Sequence, residues 1–378
     1  MPAERFEIRI PASKLLIAMF VIIIPICLAA LFSLARTESA LERTAGAQFK
    51  TVAQLTASQI ASFIHERVTG VRNVAITSAV IDAVASSNRK YSGRTDSQIA
   101  DSFSTVEATW STPAADRLVS DILAMPASQF LRKHLQYDPT LLRVTVTDIR
   151  GAVVASTHKT VNYFQGDQQQ WRDVYADGRG AVNITDILYD DVTKSSYIGI
   201  GMPVLEEGTN RFIGALTALV DVSNLFPIVR QVQLGNSGRA MLVKDDGVIV
   251  AAAGVSSAAK MRSAEFEAIR EALGTVEGRQ TGFLVSRLSS GPHVIGFADT
   301  GLKDDYPKLG WVVLSVQDAN EAFASIRSAE RVMGLVAFLG LMGVMLFGVY
   351  VYLHRQPNYD DLAEVAASSP PTSHSTAA

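Results

Sequence analysis

Residues able to carry out chemistry are sparse and scattered along this chain. The six histidines, His65, His134, His158, His293, His354 and His374, stand far apart, and none has an HExxH neighbour or another metal-ligand spacing. Asn236-Ser237-Gly238 after Gly235 lacks the Gly-x-Ser-x-Gly pattern of a nucleophile turn, and it precedes a strand-like run where a turn is expected anyway. No glycine-rich phosphate loop occurs, and Asn183-Ile-Thr185 is a formal glycosylation sequon of a kind common by chance. These features argue against an enzyme, and no cofactor motif stands out. A net charge of −3 argues against a basic nucleic-acid surface.

The elements that must position any site are bracketed by two apolar runs. Leu15–Leu34 and Val332–Leu353 carry no charged residue. At about 1.5 Å per helical residue each reaches the roughly 30 Å of a bilayer core. Ser33-Leu34-Ala35 resembles a signal-peptidase site, but the first run exceeds the 7–15 residues usual for a signal core, which favours an uncleaved anchor. Arg5, Arg9 and Lys14 precede the first run and Arg355 follows the second, against Arg36, Arg43, Lys50, Arg327 and Arg331 on the loop side. The charge count is nearly even. Cytoplasmic tails are expected because the basic leader precedes the first span and a long loop translocates regardless of charge. The only cysteine, Cys27, lies in the first run, so the loop is expected to fold without a disulfide.

Within the loop, Leu41, Ala45, Val52, Leu55, Ile60, Phe63, Val71 and Val74 recur at helical spacing, which predicts one long helix over Thr37–Ala85. Its apolar stripe suggests dimerisation. Shorter helices are expected near 99–110, 114–124 and 127–136, punctuated by Pro113 and Pro126. After Pro139 the texture turns to strands. Arg143–Asp148 and Ala152–Ser156 form a hairpin signal through Ile149-Arg150-Gly151, with further strands at Tyr197–Pro203 and Phe212–Val222. The hairpin returns at Met241–Ala251, where Gly247 lies 96 residues after Gly151. Ile213-Gly214 and Leu309-Gly310 show the same offset, which aligns Asp221 with Gln317. A shift held at both ends of a unit predicts a duplicated α/β module.

These stretches carry a resemblance. Val146–Ser156, the segment Asn162–Trp171 followed by Tyr175, Gly178 and Gly180, and Leu309–Gln317 together resemble the double-Cache extracellular sensor family of bacterial receptors. The resemblance implies an α+β fold in which two tandem PAS-like modules with antiparallel sheets stand on a long N-terminal helix, flanked by two transmembrane helices. The expected divisions are a tail at 1–14, a span at 15–35 and a helical region at 36–139. A membrane-distal module at 140–227 and a proximal one at 228–328 follow, then a span at 331–353 and a low-complexity tail at 354–378.

The resemblance also implies a small-molecule site in the distal module. In an amino-acid-binding branch the ligand is held by an aromatic, an Arg two residues before a Trp, an aromatic after it, a Tyr-x-Asp pair and a late Asp. Here Trp171, Tyr189, Asp191 and Asp221 keep their places, and Phe164 holds the first aromatic position beside Tyr163. Gln169 stands where the Arg would be, and Arg172 replaces the second aromatic. A neutral Gln cannot grip a carboxylate as a guanidinium does. The two aspartates therefore suggest a cationic or zwitterionic ligand, amine or amino-acid-like, with an aromatic face available to its charge. Some of these residues have a plainer reading as well. Trp171 suits a core aromatic, Asp190 and Asp191 a solvated turn, and Asp221 the cap of a following helix.

The expectation is a sensor in a bacterial inner membrane with its large domain periplasmic, as a homodimer, passing a signal through its spans to an output protein in trans. A scaffold docking a partner domain, or an accessory protein feeding a transporter, is the alternative.

Overall fold

The computed structural model describes residues 12–190, 195–255, 260–274 and 281–354. It divides into two compact units, residues 45–322 and residues 1–44 with 323–378.

Five helices lead the chain: α1 (Ala12–Ala75), α2 (Ser78–Arg89), α3 (Asp96–Trp110), α4 (Asp116–Ala124) and α5 (Pro126–Tyr137). From Phe49 onward α1 buries Ala53, Ala57, Ile60, Ile64, Val68, Val71 and Val74, three to four residues apart. The expected stripe is corrected in two ways. Leu55 is 61% exposed, and from Ala53 onward the stripe packs into the main core of the chain. The helix also stops at Ala75, and α2 departs at 57°. Thr77 adopts extended backbone angles there, and its hydroxyl donates back to the Val74 carbonyl. Thr95 and Gln98 form a reciprocal capping box that starts α3.

The first sheet comprises β1 (Leu141–Asp148), β2 (Val153–Ser156), β3 (Asn183–Ile184), β4 (Leu188–Asp190), β5 (Ser195–Leu205) and β6 (Phe212–Asp221), with α6 (Gln169–Tyr175) across one face. Its order is β2-β1-β6-β5-β3, antiparallel throughout, with β4 also on β5. After α7 (Leu225–Arg230) the second sheet contains β7 (Gln233–Leu234), β8 (Gly238–Lys244) and β9 (Ile249–Ala252). The chain continues through α8 (Ala264–Gly274), β10 (Thr281–Leu288), β11 (Gly291–Asp299), α9 (Leu302–Asp305), β12 (Trp311–Asp318) and α10 (Ala319–Ala322). Its order is β10-β11-β12-β8-β7, with β9 also on β8.

The duplication is visible in the ladders. Both first hairpins carry a register break, at Val146/Thr147 and at Leu242/Val243, 96 residues apart. Gly151 (φ +92°) and Gly247 (φ +85°) hold the turn in backbone angles that L side chains rarely adopt. The closing strand departs from the expected offset. Thr145 faces Thr217 across β1 and β6, while its counterpart Met241 faces Leu314 across β8 and β12. The true shift there is 97, so Asp221 corresponds to Asp318, not to Gln317. The chemistry agrees: Asp221 accepts from the Ser223 N–H at 2.7 Å, and Asp318 from the Asn320 N–H at 2.6 Å.

In the smaller unit, α11 (Ala324–His354) exposes Val332, Leu335, Phe338, Leu346 and Phe347. Among the described residues no single helix is long and apolar enough to cross a membrane, and the apolar stretch Ala337–Tyr350 is shorter. The expected tails fall outside the described residues, apart from 12–14 and His354.

Candidate functional site

Alternation along β1 puts Arg143, Thr145 and Thr147 on the face opposite the main core, into which Val144 and Val146 point. Thr217 and Leu219 of β6 join that face. Together with Ser156, the segment His158–Asn162, Gln165 and the first turn of α6, they line a cavity of about 530 Å³. The size suits a small solute.

Trp171 forms one wall. It is buried, its Nε1 donates to Thr147 Oγ1 at 2.9 Å, and its ring stacks on Tyr175 with centroids 5.2 Å apart. It is therefore both a core aromatic and a lining residue. Gln169 also lines the cavity, and its Nε2 donates to Asp173 Oδ1 at 2.6 Å. Lys308, before β12, donates to the other Asp173 oxygen at 2.6 Å. Burial alone would raise the Asp173 carboxyl pKa, but the hydrogen bonds from Lys308 and Gln169 outweigh it and hold it below the usual range.

The rest of the lining is mostly neutral and polar, and its ionisable side chains are basic. Arg143, His158 and Lys159 contribute, and no Asp or Glu among the described residues does. Burial, then the nearby Arg143 and Arg132, lower the His158 pKa, which favours the neutral ring. Gln170 lines the cavity too. Its Nε2 is buried without a hydrogen-bond partner, over Gly199, where a Cβ would lie 2.6 Å from it.

The other expected residues sit elsewhere. Tyr163 and Phe164 turn to a separate aromatic cluster, with Phe164 stacked on Phe103 at 5.2 Å and Tyr163 against Trp110 at 5.3 Å. That cluster braces the lining segment from behind, and Trp110 Nε1 donates to the Thr160 carbonyl at 2.8 Å. Burial, with Asp148 adding to it, pushes the Tyr163 phenol up to about 12. Arg172 is exposed, and its Nε donates to the Gly166 carbonyl at 3.4 Å. Tyr189 lies on β4 opposite Ser196, 39% exposed. Asp221 is committed to its turn, and neither it nor Tyr189 lines the cavity. Asp191 lies outside the described residues.

Sequence reasoning missed Arg143, His158, Lys159 and Gln170. A signal for Arg143 was available, since β1 alternates and Arg143 shares a face with two threonines in a strand otherwise apolar on the other side. A buried hub was also missed. Asp148, fully buried, accepts from Ser87 Oγ at 2.9 Å, from the Tyr91 hydroxyl and from the Arg150 and Ala152 N–H groups at 3.0 and 3.1 Å. It fastens α2 to the first hairpin.

The family model for the Cache domain matches residues 37–326. Similar solved structures include the sensory domain of the Campylobacter jejuni chemoreceptor Tlp3, at 11% identity and TM-score 0.50, covering 76% of this chain and 99% of that one. The ligand-binding domain of the Pseudomonas aeruginosa amino-acid chemoreceptor PctC in complex with GABA is 17% identical, with TM-score 0.44, covering 71% and 97%. That of the Pseudomonas fluorescens chemoreceptor CtaA in complex with L-leucine is 14% identical, with TM-score 0.46, covering 75% and 99%. No curated protein matches the chain in sequence.

Proposed function

The chain belongs to the Cache domain family, and from that premise we propose that it is a membrane-anchored, extracytoplasmic sensor whose first sheet binds a small solute. The observation that carries this reading is the cavity of about 530 Å³ between β1, β6 and α6, walled by Trp171 and floored by threonines. Two spans belong to the proposal. Its support is the uncharged runs Leu15–Leu34 and Val332–Leu353, together with the exposed apolar side chains of α11.

The expectation of a cationic or zwitterionic ligand rests on Asp191 and Asp221, whereas the ionisable side chains on the described lining are basic. The ligand class is therefore one that offers acceptors to Arg143, Gln170 and Trp171's neighbourhood. A route for the signal begins in the same place. Gln169, Asp173 and Lys308 form a continuous hydrogen-bonded chain from the cavity lining to the turn before β12. A ligand that binds one setting of α6 better than another shifts the population of both sheets, and through α10 and α11 it addresses an output partner in trans.

Thermal unfolding of the full chain in detergent, with a panel of organic acids, amino acids and amines, tests the reading. At least one solute should raise the melting temperature, and Thr217→Trp, which fills the cavity, should abolish the rise. A scaffold would respond to none.

A further inference from the structure

Arg143 on β1 and Arg239 on β8 are counterparts, 96 residues apart, and face Leu219 and Val316 respectively across the ladder. On the helical side the buried pair Trp171 and Val174 recurs as Phe266 and Ile269, 95 residues apart. Gln168 and Ser263, each just before its helix, keep the same spacing. Gln170 and Glu265 are therefore counterparts as well. In the second sheet the two side chains meet. Arg239 Nη2 donates to Glu265 Oε1 at 2.9 Å, the Glu265 side chain is only 11% exposed, and its other oxygen accepts from Ser263 Oγ at 2.8 Å.

In the first sheet an amide replaces that carboxylate. No Asp or Glu among the described residues lines the cavity with Arg143, and the Gln170 Nε2 is a buried donor without an acceptor. A buried donor left unmatched costs free energy, while Arg143, which also lines the cavity, is exposed and open to a ligand. We propose that the distal cavity takes a small organic carboxylate, whose carboxylate group sits where the Glu265 carboxylate sits in the second sheet, held by Arg143 and Gln170. The guanidinium supplies two parallel charged hydrogen bonds, the amide supplies a third, and Lys159 adds a second positive charge to the lining. A ligand ammonium meets no described lining carboxylate, so amines bind more weakly than acids of the same size. The inference rests on the reading of this cavity as the ligand site.

The test uses the full chain in detergent and calorimetric titration with acetate, propionate, succinate and glutarate. Propionamide, succinamide, 1,4-diaminobutane and inorganic phosphate are the matched controls. At least one of the four carboxylates should bind, and its amide or amine counterpart and phosphate should bind at least about tenfold more weakly. Arg143→Gln should weaken the carboxylate by about tenfold or more, with Arg143→Lys restoring part of the loss. Gln170→Glu installs the arrangement of the second sheet within the cavity. It should abolish carboxylate binding while keeping or raising the melting temperature of the ligand-free chain, which separates ligand mimicry from misfolding.

Binding of amides, amines or phosphate in preference to all four carboxylates overturns the ligand class and leaves the cavity reading standing. So does failure of all four carboxylates to bind, or carboxylate binding indifferent to both Arg143→Gln and Gln170→Glu. Binding of any solute that survives Thr217→Trp overturns the cavity reading itself.

Discussion

The two sheets share one ladder pattern, yet a cavity lies under the helix of the first, while the matching face of the second packs into an apolar cluster. The difference lies in a handful of substitutions on one face. Thr145, Thr147, Ser156 and Thr217 of the first sheet stand where Met241, Val243, Ala252 and Leu314 stand in the second. Trp171, hydrogen-bonded to Thr147, becomes Phe266 over Val243, and the second set forms a closed apolar cluster. Short polar side chains leave room and acceptors, while long apolar ones fill the same volume and bury about 1.5–3 kcal/mol of transfer free energy each. Duplication supplied one scaffold twice. On the proposed reading, side-chain volume and one Glu-to-Gln difference divide binding from support.

The largest expected effect breaks the filled side of this comparison. Leu314 is fully buried, so Leu314→Ala should destabilise the chain by about 2–5 kcal/mol in denaturant unfolding, and Thr217→Ala at the matching position by less than about 1 kcal/mol. Equal losses would mean that both faces are packed alike.

Alkaline unfolding separates the sheets next. The Tyr163 phenol is raised from 10.0 to about 12, by burial first and Asp148 second. The folded state therefore keeps a proton that the unfolded chain releases. Its stabilising contribution is complete below pH 10 and is lost as pH rises toward about 12. Tyr163→Phe should flatten that part of the stability profile. Its counterpart in the second sheet is Met261, since Val153 N–H bonds the Tyr163 carbonyl as Ile249 N–H bonds that of Met261. Met261→Leu should leave the profile unchanged.

Smaller effects sharpen the roles of single polar contacts. Trp171→Phe removes the bond to Thr147 and copies the second sheet, so stability should fall by about 1 kcal/mol and solute response should weaken with it. Asp221→Ala and Asp318→Ala remove equivalent turns. Each should cost about 0.5–1 kcal/mol, and Asp221→Ala should leave solute affinity unchanged. A large loss of affinity would restore Asp221 as a ligand residue. Lys308→Met should change stability least, by under about 1 kcal/mol, because the side chain is half exposed. It should uncouple the second sheet from solute bound at the first.

Much of this architecture was legible in the chain. The Gly151 and Gly247 hairpins announced the repeat because a positive-φ turn demands its residue type. The short helices after Pro113 and Pro126 lie where punctuation put them. The closing strand was harder to place. Trp311–Gln317 is buried on both faces, so it lacks the polar alternation that fixes register, and aligning Gly214 with Gly310 slipped it by one residue. The site was legible only in part. Gln169 and Trp171 were found on the lining because they neighbour each other on α6. Arg143 and Gln170 reach one cavity only through folding, and Gln170 gains its meaning from its counterpart Glu265, which pairs with Arg239.

The division of labour between the two sheets is tested most directly by amide hydrogen exchange on the full chain in detergent, with and without succinate or glutarate. Solute should slow exchange in β1, β6 and α6, with a weaker echo around Lys308, and leave the centres of β8 and β12 unchanged. Protection centred on β8, α8 and β12, or no protection anywhere, would contradict the account.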